Sequence, residues 1–336
     1  MRFSVVVPVF NARTYLRDSV GAVLGQTGDD YEIVLVDDGS TDGSGGLCDE
    51  LSYEDSRVVV VHEENAGPLC ARVRGIEEAR GDYVLMLDAD DSLRSDALSV
   101  LSGIVGSEQP DIVLFEFTRS RDFSPYAPSQ MALAPGYHDD MDVLRELICR
   151  GSHTNAMWGK AIRREVAMPS EGWETPRGMA HAEDLYQLLP IVGRARSFFY
   201  CPQPLYYYRS TPGSSTKHYK PRQLDDVQIA TSELLRFGAL WGGSCLDEAR
   251  RGALLQYVYL LHILLCDPGS TDGRWGEYER LRSCVRSAAL FGPWCGGLRI
   301  DKRIEVGALA RGWRAPSAVL ARGLELLKRI RDRDSV

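Results

Sequence analysis

Several chemistries leave no trace in this sequence of 336 residues. The eight cysteines (Cys48, Cys70, Cys149, Cys201, Cys245, Cys266, Cys284, Cys295) are scattered and never stand as a CxxC pair, so neither a zinc site nor a dithiol redox centre is indicated. No GxxxxGK[ST] stretch occurs, which excludes a P-loop. Gly43-Ser44-Gly45-Gly46-Leu47-Cys48 approaches GxGxxG but lacks its last glycine and follows the second strand signal, so it is a weak dinucleotide fingerprint. A basic excess is missing too: the net charge of -8 argues against a general nucleic-acid binder. Long apolar runs are absent. Leu254–Cys266 contains Gln256 and His262 and is too short to span a bilayer, and the run before Pro8 is too short for a signal peptide. No internal repeat or low-complexity segment is found. The expectation is a reduced, cytoplasmic protein with free thiols.

What is present is an alternation. Apolar, β-branched runs at Phe3–Val9, Tyr31–Val36, Val58–Val61, Tyr83–Leu87 and Ile112–Phe117 read as strands, the first stopped by Pro8 and Asn11. Between them, helical spacing marks Tyr15–Leu24 (with Thr14 as N-cap), Leu47–Leu51, Gly67–Ala79 and Ser95–Val105. Such a pattern predicts an α/β domain with a parallel sheet covered on both faces. Ligands in these sheets bind beyond the carboxyl ends of the strands. Asn11, Asp37, Asp38, Asp88 and Asp90 all fall at such ends. After Phe117 the order loosens: 119–136 reads as a loop, Met141–Ile148 and Glu183–Val192 as helices, and Ser197–Cys201 and Leu205–Tyr208 as short strands. From about Lys220 onward the pattern is helical. The domains expected are 1–216, with halves 1–117 and 118–216, and a helical region 217–336.

One stretch concentrates charge. Val84-Leu85-Met86-Leu87 runs straight into Asp88-Ala89-Asp90-Asp91. Like charges so close repel, and hard carboxylate oxygens suit Mg²⁺ or Mn²⁺. An EF-hand loop would need Gly and Glu where Leu93 and Ser99 stand. The simpler alternative is capping of the following helix, whose N-terminus welcomes Asp. One Asp would need no more than that; three favour a divalent site, since Mg²⁺ is commonly held by one or two carboxylates plus substrate phosphates.

Four blocks together carry a resemblance: Ser4-Val-Val-Val-Pro8-Val9-Phe-Asn11, then Val34-Leu-Val-Asp37-Asp38-Gly39-Ser40-Thr41-Asp42, then Asn65-Ala-Gly67 with Ala71-Arg72, then Leu87-Asp88-Ala89-Asp90-Asp91. In this order they resemble the family-2 glycosyltransferases over about the first two hundred residues, and Asp88-Ala89-Asp90 looks like that family's DxD motif. The resemblance implies the GT-A fold, a Rossmann-like, mostly parallel sheet flanked by helices, here with a C-terminal helical region. It also implies inverting transfer from a nucleotide-diphosphate sugar. By the same resemblance, Pro8, Val9 and Asn11 line the nucleotide pocket, with Gly67 and Ala89 beside it. Asp38 meets the base, with Asp37 sharing the work; Asp88 faces the ribose and the metal; Asp90 holds the metal; Arg72 lies near the nucleotide. Singly, each position has a plainer reading: Asp37-Asp38-Gly39-Ser40 as a turn, Asn11 as a turn residue or cap, and Arg72 as a solvated helix residue.

His181-Ala182-Glu183-Asp184 matches the family's ED pair at a helix start, with Asp184 as general base and Glu183 orienting it or touching the acceptor; helix capping alone also explains such pairs. Arg209, Ser214, Thr216 and Lys217 resemble the segment that closes over the diphosphate, and His218 a further metal ligand, although a lone His is more often structural. Trp158 and Lys160 resemble a Trp-x-Lys element on the acceptor side, although a buried aromatic is the commoner fate.

Residues 299–336 hold ten Lys/Arg against five Asp/Glu, a balance of +5. Val319, Leu320, Leu324, Leu327 and Ile330 make an apolar stripe within it. A basic amphipathic helix of this kind lies on an anionic membrane face, which would put the protein peripherally at the inner membrane; the alternative is a helix docked on its own domain or on a second subunit. The implied reaction moves a sugar, from UDP most plausibly, to a hydroxyl of a glycan or glycolipid with Mn²⁺ or Mg²⁺. A sugar nucleotidyltransferase would carry a Gly-rich, Arg/Lys-bearing loop after the first strand, whereas Pro8-Val-Phe-Asn-Ala-Arg13 lacks the glycines. A non-catalytic nucleotide-sugar binder would lack the base or the metal acids.

Overall fold

The computed structural model describes residues 3–28, 30–124, 131, 133–151, 153–210, 218–220, 222–267, 273–292, 295, 298–314, 317–319, 321 and 323. The chain divides into two compact units: Met1–Leu144 with Thr154–Thr211, and Arg145–His153 with Pro212–Val336. The short return of 145–153 to the second unit has no counterpart in the sequence pattern.

The first unit is built on one sheet. In chain order its elements are β1 (Phe3–Val9), α1 (Arg13–Leu24), β2 (Tyr31–Asp38), α2 (Ser44–Glu54), β3 (Val58–Glu63), α3 (Pro68–Glu78), β4 (Tyr83–Met86), β5 (Ser92–Leu93), α4 (Ala97–Ser107), β6 (Ile112–Thr118) and β7 (Gly136–His138). There follow α5 (Asp142–Arg150), whose residues from Arg145 on belong to the second unit, β8 (Lys160–Arg163), α6 (Arg164–Ala167), α7 (Glu183–Arg194) and β9 (Phe198–Tyr207). The strand order is β3-β2-β1-β4-β8-β6-β9-β5, with β7 paired to β9. β1, β2, β3 and β4 run parallel, as does β6 with β9.

β8 is the departure from the expected parallel sheet. It lies antiparallel between β4 and β6 and joins the two parallel blocks. Its four residues, Lys-Ala-Ile-Arg, are too short and too polar at both ends to stand out as a strand run. Other expectations shift for local reasons. Pro8 does not end β1: it stays in register opposite Val36, near the strand's end. Thr14 lies inside α1, whose N-cap is Ala12. The strands expected at 197–201 and 205–208 are one, β9, and the irregular register near Pro202 and Pro204 produced the apparent gap. Gly136, expected in a loop, opens β7.

Alternating faces of the sheet bury against helices on both sides. Val5, Val7 and Val9 of β1 and Ile33 and Leu35 of β2 share a core with Leu16, Val20 and Val23 of α1 and Leu98, Leu101 and Val105 of α4. Each such side chain contributes about 1.5–3 kcal/mol when fully buried. On the other face α3 packs on β1 and β2, and it comes this close because Gly75 has no Cβ to collide with Val6.

The turn from β1 into α1 is held by the loop after β2. Ser40 Oγ accepts from Asn11 N, Asp42 from Arg13 N, and Ser44 Oγ from Ala12 N. These are the orphan amides of a helix start, satisfied across the sheet rather than by a local cap. Asn11, at φ 52°, returns its side-chain oxygen to Thr41 N at 2.8 Å.

The second unit is helical: α8 (Arg222–Trp241), α9 (Cys245–Cys266), α10 (Arg274–Ser287) and α11 (Ile300–Arg311). Among the described residues no helix is long and apolar enough to cross a membrane. Gly252 sits so close to the Cys149 carbonyl that no larger residue fits, which fixes 145–153 against α9.

Gly67 joins the strand-end loop to α3 at φ 92°, and a Cβ there would come within 3.0 Å of Gly178 Cα. Gly67→Ala should therefore lower folding stability by about 1–3 kcal/mol, read as a reduced urea midpoint at an unchanged slope.

Candidate active site

The carboxylates expected at the strand ends take distinct places. Asp38, buried at the end of β2, accepts Ala66 N at 2.7 Å and Gly67 N at 3.0 Å, so it clamps the turn that starts α3. Asp37 accepts Ser40 N at 3.1 Å and meets His62 Nδ1 at 2.9 Å, while the other ring nitrogen meets Asp49. Burial pushes the Asp37 carboxyl up, but the bonds from Ser40 and His62 outweigh it and hold it below the usual range. Both side chains thus carry structural work of their own.

The three acids after β4 separate more sharply. Asp91 is buried, and its two oxygens are occupied: Tyr206 OH donates at 2.7 Å and Arg209 N at 2.7 Å. It is a tether for the end of β9, not a capping residue; α4 is instead met at Leu98 N by Gln26 Oε1. Burial pushes the Asp91 carboxyl up to about 7 despite those bonds. Asp88 is pushed further, to about 8, first by burial and then by Asp91, Asp184 and Asp90, with Arg72 opposing. Asp90 lies next in the loop, and its backbone carbonyl accepts Arg209 Nε at 2.6 Å. The Arg209 guanidinium also stacks over Tyr15 and Tyr207, 5.2 and 5.8 Å from the ring centres.

Helix α7 brings in the other pair. Ala182, at φ 57°, turns the chain so that Glu183 and Asp184 form the first helical turn. Asp184 Oδ2 accepts Met157 N at 3.2 Å. Arg72, from the middle of α3, reaches this turn: Nη2 donates to Glu183 Oε1 at 3.0 Å, Nη1 lies 2.7 Å from Asp184 Oδ1, and Nη1 donates to Gln187 at 3.4 Å. The residue that looked most ordinary in the sequence is 4% exposed. Burial disfavours its charge, yet Asp184, Glu183 and Asp88 together raise the guanidinium above its ordinary value.

β8 and its approach supply the remaining wall. Trp158 stacks on Tyr206 with ring centres 5.0 Å apart and meets Phe117 edge-on at 4.9 Å, so one of its faces is already covered. Lys160 is buried, and its Nζ donates to Ala156 O at 2.5 Å. Desolvation lowers it to about 7, with Asp184 opposing. Tyr206 was not singled out from the sequence, yet it is the hub: its hydroxyl serves Asp91 and Asp88 N while its ring supports Trp158. The 206–208 alternation in a strand was the available signal, since it puts Tyr206 and Tyr208 on one face.

His218 belongs to the second unit, where Nδ1 lies 3.3 Å from Asp267 Oδ1. Ser214, Thr216 and Lys217 lie outside the described residues.

Asp88 and Asp90 fit a divalent cation in a particular way. Their oxygens are hard donors, and Asp88 is buried among Asp90, Asp91 and Asp184 with Arg72 opposing them. Among the described residues no three His, Cys, Asp or Glu side chains gather as a ready cage. Two protein carboxylates with the remaining positions open is the donor set of an ion completed by phosphate oxygens and water.

Known proteins resemble this chain in sequence and in fold. Residues 4–167 match glycosyl transferase family 2. The chain is 28% identical over 284 residues to the putative glycosyltransferase EpsH of Bacillus subtilis, covering 83% of this chain and 81% of that one. Another relative is matched over only 35% of its own length. The fold matches S. aureus TarS residues 1–349, solved in complex with UDP-GlcNAc, at a TM-score of 0.64 and 18% identity, covering 98% of this chain and 92% of that one. It also matches the mannosyltransferase PcManGT of Pyrobaculum calidifontis, solved with GDP-Man and Mn²⁺, at a TM-score of 0.50 and 16% identity over 97% and 87% of the two chains.

Lys160 gives a pH signature. Its ammonium is lowered to about 7 in the fold and returns to about 10.4 in the unfolded chain, so the unfolded state binds the extra proton between those values and stability rises with pH there. Lys160→Met should remove that alkaline rise: melting temperatures of the two proteins should diverge from pH 7 to 9, with the native protein gaining.

Proposed function

We propose how transfer proceeds in this chain, which belongs through residues 4–167 to the family-2 glycosyltransferases: it moves a sugar from a nucleoside diphosphate, UDP in our reading, to a hydroxyl of a glycan or glycolipid with inversion at the anomeric carbon. The observation that carries the reading is the convergence, in one unit, of the Asp88–Asp90 pair after β4 with the Glu183–Asp184 pair at the start of α7. One pair suits a cation and diphosphate, the other an acceptor proton. The solved complexes of TarS with UDP-GlcNAc and of PcManGT with GDP-Man and Mn²⁺ support a sugar-nucleotide donor and a metal.

The steps follow from the residues. Pro8, Val9, Asn11, Asp37, Asp38, Gly67 and Ala89 shape the nucleotide side. Asp88 and Asp90 would hold Mn²⁺ or Mg²⁺, which when bound neutralises charge on the departing diphosphate as a Lewis acid. Asp184 accepts the proton from the acceptor hydroxyl as its oxygen bonds to the anomeric carbon. The bond from that carbon to the diphosphate breaks, and the nucleoside diphosphate leaves with the electron pair. A single displacement needs no sugar–enzyme bond. In this reading Trp158 and Lys160 serve the acceptor side, and Arg209, with Ser214, Thr216 and Lys217 outside the described residues, is assigned to the diphosphate by the resemblance.

The second unit supports a peripheral membrane role. Of the stripe read from the sequence, Leu320, Leu324, Leu327 and Ile330 lie outside the described residues; Val319 is exposed, and with Ile300, Ile304 and Trp313 it lines a groove beside Arg303 and Arg311. An exposed apolar groove with an arginine rim suits an anionic lipid face.

Three measurements test these readings. With a panel of nucleotide sugars and Mn²⁺, Asp184→Asn should lose at least about 100-fold in nucleoside diphosphate release while UDP affinity stays within twofold; retained turnover removes Asp184 from the mechanism. By calorimetry, UDP should bind Asp90→Ala equally in Mn²⁺ and in chelator, whereas the native protein should prefer Mn²⁺. The full-length protein should float with phosphatidylserine vesicles and not with neutral ones; indifference to both ends the membrane reading.

A further inference from the structure

Arg72 is assigned to the nucleotide by resemblance, but its contacts point elsewhere. Every hydrogen bond and ion pair described for its guanidinium goes to the first turns of α7: Glu183 at 3.0 Å, Asp184 at 2.7 Å and Gln187 at 3.4 Å. We infer that Arg72 is a positioning residue for the general base, holding the Asp184 carboxylate in the orientation from which it takes the acceptor proton. This rests on the reading of Asp184 as base.

Three features make the placement specific. First, the guanidinium is planar and forked, and it spans both carboxylates at once, which an ammonium does not. Glu183 and Asp184 are adjacent on a helix and would otherwise repel. Second, Asp184 is fixed from two sides: Met157 N meets Oδ2 and Arg72 meets Oδ1. The amide hydrogen bond fixes one oxygen and the ion pair holds the other beside the guanidinium, and catalytic groups displaced by about 1 Å lose about 100-fold in rate. Third, Arg72 stands on α3, whose start is clamped to the strand end by Asp38 through Ala66 N and Gly67 N. The arginine that orients the base is therefore set by the same loop that borders the nucleotide pocket, and Asp88 adds its charge to the balance around Arg72. A salt bridge serving stability alone would need none of this convergence on the reacting carboxylate.

The test separates positioning from donor binding and from folding. Arg72→Gln and Arg72→Lys are purified and their melting temperatures measured. Release of UDP is followed with the UDP-sugar that the panel selects, and UDP–Mn²⁺ affinity is measured by calorimetry. The expected result is a kcat lower by about 100-fold for Arg72→Gln, with UDP affinity within twofold of native and a smaller kcat loss for Arg72→Lys. A tenfold weakening of UDP binding at near-native kcat overturns the inference and makes Arg72 a donor ligand. If Arg72→Gln does not fold, Arg72→Lys alone decides: native kcat overturns, reduced kcat at native UDP affinity supports. Asp184→Asn is run in parallel; if it turns over like the native protein, the base assignment itself has failed, whatever Arg72 does.

Discussion

A buried arginine surrounded by acids is the interaction on which the site depends. Glu183, Asp184 and Asp88 all lean on the Arg72 guanidinium, which is almost wholly removed from water. Taking one partner from a buried charge group leaves the rest uncompensated, at a cost of about 3–5 kcal/mol in comparable pairs. The arrangement persists because Asp88 approaches from the end of β4 and Glu183 and Asp184 from α7, so the charges cannot relax apart without unpacking the core. Around Asp88 the arginine is still not enough, and the carboxyl is driven toward its neutral form.

The scaffold works by mutual capping. The loop from Ser40 to Ser44 satisfies the amides that open α1, and Asp38 satisfies those that open α3. Asp91 ties the end of β9 to the loop after β4 through Tyr206 and Arg209. Each link uses a short polar side chain against a backbone N–H or a phenol, a contact that needs little room and fixes direction. The strand ends are consequently stiff, which a site needs when two carboxylate pairs must stay aligned while a substrate comes and goes.

Much of this was legible in advance. The five apolar runs that became β1, β2, β3, β4 and β6 carried their own period and burial, and the fold class follows from their alternation with helices. The GT-A architecture and the glycosyltransferase assignment rested on four blocks in order, and the family match and fold neighbours agree. β8 was not legible, because four residues with charged ends carry no period of their own; the strand exists since β4 and β6 both offer edges to it. Tyr206 gave only a faint signal, because its role lies in what it touches, over a hundred residues away at Asp91.

The chain order by itself determined which residues are apolar, where strands must alternate with helices, and that acids gather at strand ends, since those properties are local and add up along the backbone. Tertiary structure alone decided which acid is a tether, which a clamp and which the partner of a buried guanidinium. Asp38, Asp91 and Asp184 are chemically identical, and only the partner brought across the fold (two amides, a phenol, a guanidinium) tells them apart, because electrostatic environment is a property of position in space and not of place in sequence.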